Sequence, residues 1–283
     1  MNVFIVIVTF NSTIDKLNEI VLSCYSLGNF IIVDNSTILE VSNKIEDLCS
    51  SFNLNYISMN GNKGIASAQN VGVQFAIENG AQELLFLDDD SLPQKDMLKK
   101  LIYYKNLLID SGFVDPIVCP NPIDSNGNDL LKSGKLITEG IYEIRDLISS
   151  GTLVSTNTFK KIGFYDESLF IDCVDYEWGW RAKNIGFCIF LVKSAILNHR
   201  QGEYTIKYIN LRLSSPIRHY YQFRNILFMI SKPYAPLAWK LKNLIKLPFK
   251  LFFLLCFADQ KIKRISYSLK GIIDYLRRKT GKI

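Results

Sequence analysis

Four short apolar runs, each closing on polar residues, set the strongest limit on what this chain can become. FIVIVTF (4–10), FIIVD (30–34), YISM (56–59) and LLFLDDD (84–90) are continuously hydrophobic rather than alternating, the pattern of strands buried on both faces of a parallel sheet. The segments between them, 13–27, 38–52, 65–79 and 94–110, are each long enough for one helix. Strand–helix–strand repetition of this kind calls for right-handed crossovers and a doubly wound α/β sheet, with the ligand site at the strand carboxyl ends. Thr9, Asn11, Asp34, Asn35, Ser36 and Asp88 to Asp90 all fall there.

The rhythm stops near residue 112. Pro116, Pro120 and Pro122 with DSNGND (124–129) predict loops or a hairpin. Residues 158–170 read as a short helix and a turn, 174–187 as a helix ending at Gly186, and 187–192 as a further strand. At 283 residues the chain can form one large domain or a domain with an appendage. Charge favours the second arrangement. Residues 232–283 hold 13 Lys/Arg against Asp259 and Asp274, a net of +11, which leaves 20 basic and 25 acidic residues in 1–231, a net of −5. A mildly acidic body carrying a basic tail implies different partners for the two parts.

Other classes lose support. The six cysteines are scattered without a CxxC pair, which argues against a disulfide framework or zinc site and for a reducing compartment. MNVFIVIVTFNS lacks a basic n-region and a cleavage site, so it is expected to be a buried strand in a cytoplasmic protein rather than a signal peptide. GxGxxG and GxxxxGK[ST] are both missing, which removes the main support for dinucleotide and P-loop readings.

Three consecutive carboxylates, Asp88, Asp89 and Asp90, close the fourth apolar run. They repel one another unless a cation neutralises them, and hard oxygen ligands of this type suit Mg²⁺ or Mn²⁺. The competing reading is a solvated acidic turn. Phosphatases and receiver domains place such aspartates after the first strand, where this chain has Thr-Phe-Asn. GNKGIASAQNVG (61–72) follows the third run; Gly61 and Gly64 permit a tight turn, and a helix from Ile65 would aim its N-terminus at an anion. An ordinary turn before a helix fits that segment equally.

Taken together, VTFN near the start, VDNS (33–36), GNKGIASAQNVG and LDDDS resemble the family 2 glycosyltransferases in order and spacing, and GFYDESLFIDCVDYEWGWR (163–181) is similar to that family's acceptor-side segment. LNHRQGE (197–203) and RHYYQFRN (218–225) look like the bacterial rhamnosyltransferase branch, which uses dTDP-L-rhamnose to build surface polysaccharides such as O-antigen. The resemblance spans about residues 2–230. It implies a GT-A-type, Rossmann-like nucleotide-binding sheet flanked by helices, with residues 1–230 catalytic and 231–283 a basic helical extension.

The resemblance also implies roles. Thr9, Asn11 and Asp34 would hold the nucleoside, and Asn62, Lys63 and Gly64 would pack against the nucleotide. Asp88 and Asp90 match the outer positions of the DxD motif, with Asp90 the direct metal ligand. Asp89 stands where the rhamnosyltransferase branch often has Gln, and is placed with the nucleotide contacts. Asp175 matches the catalytic aspartate; on the first turn of a helix its carboxylate would be favoured by the dipole, though it could equally be a cap. Asp172 is the second choice as base. His199 would be a second metal ligand or a diphosphate contact. Ser150 and Gly151, with Asp172, Glu177, Arg218, Tyr220 and Arg224, would bind the acceptor or diphosphate, although Tyr220 and Tyr221 could instead be helix core.

In the tail, lysines 240, 242, 246 and 250 leave only Leu251 to Ala258 as an uncharged stretch, far below the ~20 residues of a membrane span. Pro248 predicts a kink or break. The segment reads as an amphipathic helix lying on an anionic membrane, with Trp239, Phe249, Phe252 and Phe253 inserted and the lysines facing lipid. A solvated helical hairpin docked on the body is the alternative. Nucleic acid is a poor partner for an acidic body without a recognition motif.

The expectation is therefore an inverting, metal-dependent transfer of L-rhamnose to a hydroxyl of a lipid-linked glycan at the inner face of the cell membrane. A UDP-sugar donor, a sugar-phosphate nucleotidyltransferase and a catalytically silent membrane scaffold are the rivals. Oligomeric state is open, and a homo-oligomer is compatible with the sequence.

Overall fold

The computed structural model describes residues 2–24, 28–131, 134–199, 205–206, 211–212 and 214–283. Strands β1 (Val3–Thr9), β2 (Asn29–Asp34), β3 (Asn55–Ser58) and β4 (Glu83–Asp88) are parallel in the order β3-β2-β1-β4. Helices α1 (Ile14–Cys24), α2 (Leu39–Ser51) and α3 (Ile65–Glu78) connect them, as the four apolar runs require. Every residue of β1 is buried, because side chains alternate between two covered faces. Phe4, Val6 and Val8 pack with α3 in one core, and Val3, Ile5 and Ile7 with α1 and α2 in the other. Helix α3 sits close to the sheet because its inward face is small: a Cβ on Gly72 would lie 2.5 Å from Val6.

Beyond β4 the sheet becomes mixed. Strand β9 (Leu153–Ser155) runs antiparallel to β4 and to β6 (Ile117–Ile123), and β10 (Ile189–His199) is parallel to β6. Strands β5 (Ser91–Pro93), β7 (Lys135–Thr138) and β8 (Ile141–Glu143) complete this half, β5 and β8 pairing with β10 and β7 with β8. Helices α4 (Met97–Asp110), α5 (Thr156–Ile162) and α6 (Val174–Asn184) cover it. Here one expectation fails: Pro120 and Pro122 lie within β6, not in a loop. Among the described residues β9 pairs with β6 at Val118 alone, and the next bridge on that side is Ile123 with Asp129, so the ladder is interrupted across Pro120 and Pro122, where a proline costs no hydrogen bond. The turn at 124–128 is the expected hairpin-like reversal, with Ile123 bridged to Asp129.

Three helices follow: α7 (Arg218–Ser231), α8 (Leu237–Phe257) and α9 (Lys261–Leu276). Helix α9 packs along α7 so closely that a Cβ on Gly271 would be 2.4 Å from the Tyr220 carbonyl. Buried polar contacts fasten the pair: Tyr220 donates to Asp274 at 3.0 Å and Arg264 lies 2.8 Å from His219 Nε2. Helix α8 passes through Pro248 without ending, since Asn243, Leu247 and Leu254 are buried on either side of it. Its faces differ from expectation. Trp239 packs against Trp180, ring centroids 5.0 Å apart, and Lys242, Lys246 and Lys250 line a cavity, while Leu241, Ile245, Phe249 and Phe252 are exposed. Among the described residues, no helix is long and apolar enough to cross a membrane. All six cysteines are free thiols.

Candidate active site

Register brings the polar strand ends together, pairing Thr9 with Asp34 and Val8 with Asp88. Asp34 is almost fully buried and accepts from Thr9 Oγ1 at 2.9 Å, Ser42 Oγ at 2.6 Å, Tyr56 at 3.2 Å and the Ser36 N–H at 3.1 Å. Burial pushes its carboxyl up, but the donors from Ser36, Ser42 and Thr9 outweigh it and hold the pKa below the usual value. Asn11 Oδ1 accepts from the N–H groups of Thr37 and Ile38 at 3.0 and 3.2 Å. Thr9, Asn11 and Asp34, expected on the nucleoside, thus have polar atoms engaged in bracing the strand ends. Their neighbour Asn35, placed at the strand ends by the sequence but given no role there, lines a cavity at this end of the sheet. Its Oδ1 accepts the Lys63 N–H at 2.7 Å and its Nδ2 donates to the Gly64 carbonyl at 3.1 Å, so it shapes the 61–64 turn. VDNS held that signal: an Asn directly after a strand is a turn-forming residue.

Gly64 adopts φ +92°, and a Cβ there would lie 2.6 Å from the Phe170 carbonyl. Only glycine fits both conditions. The same carbonyl accepts the Ile65 N–H at 2.8 Å, joining the start of α3 to the segment before α6. Asn62 and Gly64 line the cavity, and the Lys63 side chain is exposed.

Asp88, Asp89 and Asp90 leave β4 half-buried and line the same cavity, of about 300 Å³. Burial, then the charges of Asp90, Asp89 and Asp175, push Asp88 up to about 7. Asp89 accepts from Ser12 Oγ and, at 3.1 Å, from the Phe10 N–H, so it fastens β4 to the β1 turn. Burial raises its pKa too, against those donors. Ser150 Oγ accepts the Asp88 N–H at 3.0 Å. Gly151, at φ +81°, donates its N–H to Phe86 at 2.7 Å and packs against Pro120 too tightly for a Cβ. These two fix the aspartate turn from behind.

The fourth carboxylate comes from α6. Asp175 stands in that helix's first turn, and burial first, with Asp172 adding, lifts it to about 6 against the N–H groups of Tyr176 and Ser149. Phe170, Asp172 and Cys173 before it all have positive φ, between 64° and 66°, a conformation costing about 1–3 kcal/mol per residue. Helix α7 holds that loop in place. Asn225 Nδ2 reaches the carbonyls of Leu169, Ile171 and Asp172 at 2.8, 2.6 and 3.1 Å, and buried Arg224 reaches Ser168 and Leu169 at 3.1 Å each. Arg218 forms a forked ion pair with Asp172 and lines the Asp88–Asp90 cavity.

Three expected acceptor or diphosphate contacts lie elsewhere. Glu177 is buried in an ion pair with Arg181 at 2.9 Å and a bond from Tyr234. Tyr220 and Arg224 are core residues of the α7–α9 contact, because that face of α7 is covered by α9 rather than open to the cleft. His199 ends β10 opposite Ser91, but its side chain, like Arg200 to Glu203, lies outside the described residues. Among the described residues, no group of three or more His, Cys, Asp or Glu side chains forms a ready metal cage.

Residues 4–132 match the family model described as glycosyl transferase family 2. The dTDP-rhamnosyl transferase RfbF of Shigella flexneri is 29% identical over 99% of this chain and 97% of its own length. The low-salt glycan biosynthesis hexosyltransferase Agl10 of Haloferax volcanii is 22% identical over 94% of this chain and 90% of its own. GalNAc-T7 crystallised with UDP, GalNAc and Mn²⁺ shares the fold at TM-score 0.64 and 16% identity, 98% of this chain covering 56% of that one. S. aureus TarS 1–349 in complex with UDP-GlcNAc does so at 0.60 and 17%, over 97% of this chain and 81% of that one. The family match over residues 4–132, the two near-full-length relatives and the shared fold make the chain similar to the family 2, rhamnosyltransferase-like glycosyltransferases.

Proposed function

We propose that the protein transfers L-rhamnose from dTDP-L-rhamnose, with inversion, to a hydroxyl of a lipid-linked glycan during bacterial surface polysaccharide synthesis. The observation that carries this reading is geometric: Asp88, Asp89 and Asp90 at the end of β4 line one cavity with Asn35, Asn62, Gly64 and Arg218, and Asp175, in the first turn of α6, follows the Phe170–Ile171 segment that also lines it. The name of RfbF supports rhamnose and thymidine; the UDP-GlcNAc held by TarS keeps a UDP-sugar as the alternative donor.

Asp88 and Asp90 fit a divalent cation. Asp88 is held near neutrality by burial and by three neighbouring carboxylates, an arrangement relieved by positive charge. One or two carboxylates completed by substrate phosphates is how Mg²⁺ is usually held. The Mn²⁺ in GalNAc-T7 supports the same choice. Bound there, Mg²⁺ or Mn²⁺ would stabilise charge on the departing diphosphate.

The chain's own residues do the rest. Asp175 accepts the proton of the acceptor hydroxyl as that oxygen attacks the anomeric carbon from the face opposite the nucleotide. Asn35, Asn62 and Gly64 shape the donor wall, and the Arg218–Asp172 pair fixes the loop before the base, so reactants are aligned before reaction. The exposed row Leu241, Ile245, Phe249 and Phe252 on α8 supports attachment to the inner face of the cell membrane.

The test is release of nucleoside diphosphate from a panel of sugar nucleotides, with Mn²⁺, Mg²⁺ or EDTA and a lipid-linked acceptor extract, for wild type and Asp90→Ala. Metal-dependent turnover of dTDP-L-rhamnose, lost in the variant, is expected. Preference for a UDP-sugar would overturn the rhamnosyl assignment, and absence of binding to every donor would overturn the transferase reading.

A further inference from the structure

A second cavity, of about 480 Å³, lies on the other side of the 170–173 loop, between the start of α6, α7 and α8. Its size is that of a small-molecule site. Lys242, Lys246 and Lys250, spaced four apart on α8 and therefore on one stripe of the helix, line it together with Arg145. Against these four cations stand two carboxylates, and both are engaged. Asp146 accepts from Arg145 at 2.6 and 2.8 Å and from the Trp180 ring at 3.0 Å; Asp172 is held by Arg218. The lysines are thus in excess. Burial pushes Lys250 down to about 8, with Lys246 and Arg218 adding to the effect and Asp172 opposing it. A row of like charges along one cavity, with Lys242 and Lys246 at its open rim and Lys250 deeper, while Leu241, Phe249 and Phe252 face outward, costs free energy that an anion would recover.

We infer that this cavity binds the phosphate or diphosphate group of the acceptor. The inference rests on the transferase reading and adds the acceptor's anionic anchor to it. Asp172, Cys173 and Tyr176 form the wall shared with the segment that carries Asp175. A phosphorylated sugar held by the lysines would therefore reach toward the base from the side opposite the donor cavity. Trp239, braced edge-on against Trp180, offers a rigid apolar surface beside the lysines, suited to a sugar ring or the first units of a lipid chain. Helix α8 would then serve two purposes, an apolar outer face for the membrane and a basic inner face for a headgroup.

Calorimetry on the full chain tests this with three probes: inorganic pyrophosphate, farnesyl diphosphate and dTDP with Mn²⁺. Lys242 and Lys246 are exposed at the cavity rim, so Lys242→Ala/Lys246→Ala is expected to fold normally, and Lys263→Ala/Lys270→Ala on α9 removes the same charge elsewhere. The first pair should weaken farnesyl diphosphate at least tenfold, about the loss of one or two charge-assisted contacts, and leave dTDP within twofold. Asp90→Ala should do the reverse, so failure of the donor reading and failure of this one are distinguishable. With lysine dependence established, equal binding of pyrophosphate assigns the site to the diphosphate alone, and tighter binding of farnesyl diphosphate assigns it to a lipid-linked one. Undiminished binding of both to the α8 variant, or an equal loss in the α9 control, overturns the proposal.

Discussion

Arg218 and Asp172 are joined by a fork, Nη2 to Oδ1 at 3.0 Å and Nε to the two carboxylate oxygens at 3.2 and 3.3 Å. Arg218 lines the aspartate cavity and Asp172 the lysine cavity, so the pair stands in the partition between them. A planar guanidinium is needed to grip both oxygens. Arg218→Lys keeps the charge and loses the fork; we expect kcat to fall about tenfold, with melting temperature changed little for a part-exposed pair. Steady-state kinetics beside a thermal melt separate the two effects, and unchanged kcat would mean the pair does not position the loop.

Asp175 must be ionised to act as base. Burial lifts it to about 6, so activity should climb between about pH 5 and pH 7 on that limb. Asp175→Asn should lose about 10²–10⁴ in kcat while binding the nucleoside diphosphate as wild type does. A pH profile of kcat/KM that is flat across this window would assign the proton to another group.

Much of this could be read in the sequence, and for a physical reason. Strands buried on both faces write themselves as uninterrupted apolar runs, so β1, β2 and β4 were legible together with the polar residues that follow them. Asp88–Asp90 stood out because like charges crowded at a strand end are costly without a cation, whereas Asp175 was singled out only through the resemblance, a carboxylate in a first helical turn being favourable by itself. What stayed hidden depends on packing between distant segments. Arg224 and Tyr220 look like ligands in RHYYQFRN, but α9 covers them. Pro120 and Pro122 look like loop residues, but they lie in β6 beyond its single pairing to β9. Lys242, Lys246 and Lys250 of α8 line a cavity because α6 and α7 provide its other walls. No local pattern encodes that choice.

Asp88 also carries a stability signature. Its pKa is raised to about 7 in the folded chain from an ordinary value of 3.8, so between these values the folded state binds the extra proton. Stability is full below the lower value and declines as pH rises through the upper one. Asp88→Asn should therefore melt higher than wild type at pH 8 and alike at pH 4; solvent at this half-buried group trims the gain to about 1 kcal/mol. Mn²⁺ should raise the wild-type melting temperature more at pH 8 than at pH 5.5, because protons compete for the same oxygens. An identical metal shift at both pH values would place the ion elsewhere.

Gly64→Ala meets two obstacles at once, φ +92° and a carbonyl 2.6 Å from the new Cβ. The backbone penalty alone is about 1–3 kcal/mol. Relief requires the 61–64 turn or the Phe170 carbonyl to move, which breaks the Ile65 contact at 2.8 Å. The variant should melt lower and bind donor nucleotide at least tenfold more weakly, both measurable by calorimetry. Full donor affinity in a folded variant would show that the turn does not form the nucleotide wall.

Asn225 tests whether α7 sets the active loop. It is completely buried, and its amide nitrogen serves the carbonyls of Leu169, Ile171 and Asp172. Those carbonyls belong to a stretch in which Phe170, Asp172 and Cys173 all hold positive φ, so the loop relaxes if its outside support is removed. Asn225→Ala leaves buried acceptors unpaired at about 1–3 kcal/mol, and Asn225→Asp replaces the donor with a group that repels them. Both should lose stability and kcat, with a smaller loss of nucleoside diphosphate affinity through Phe170 and Ile171, which line the donor cavity beside the untouched Asn35, Asn62 and Gly64. A purely structural residue would lower the fraction folded and leave kcat per folded molecule as it was. Active-site titration with a tight-binding nucleotide counts the folded molecules and decides between the two.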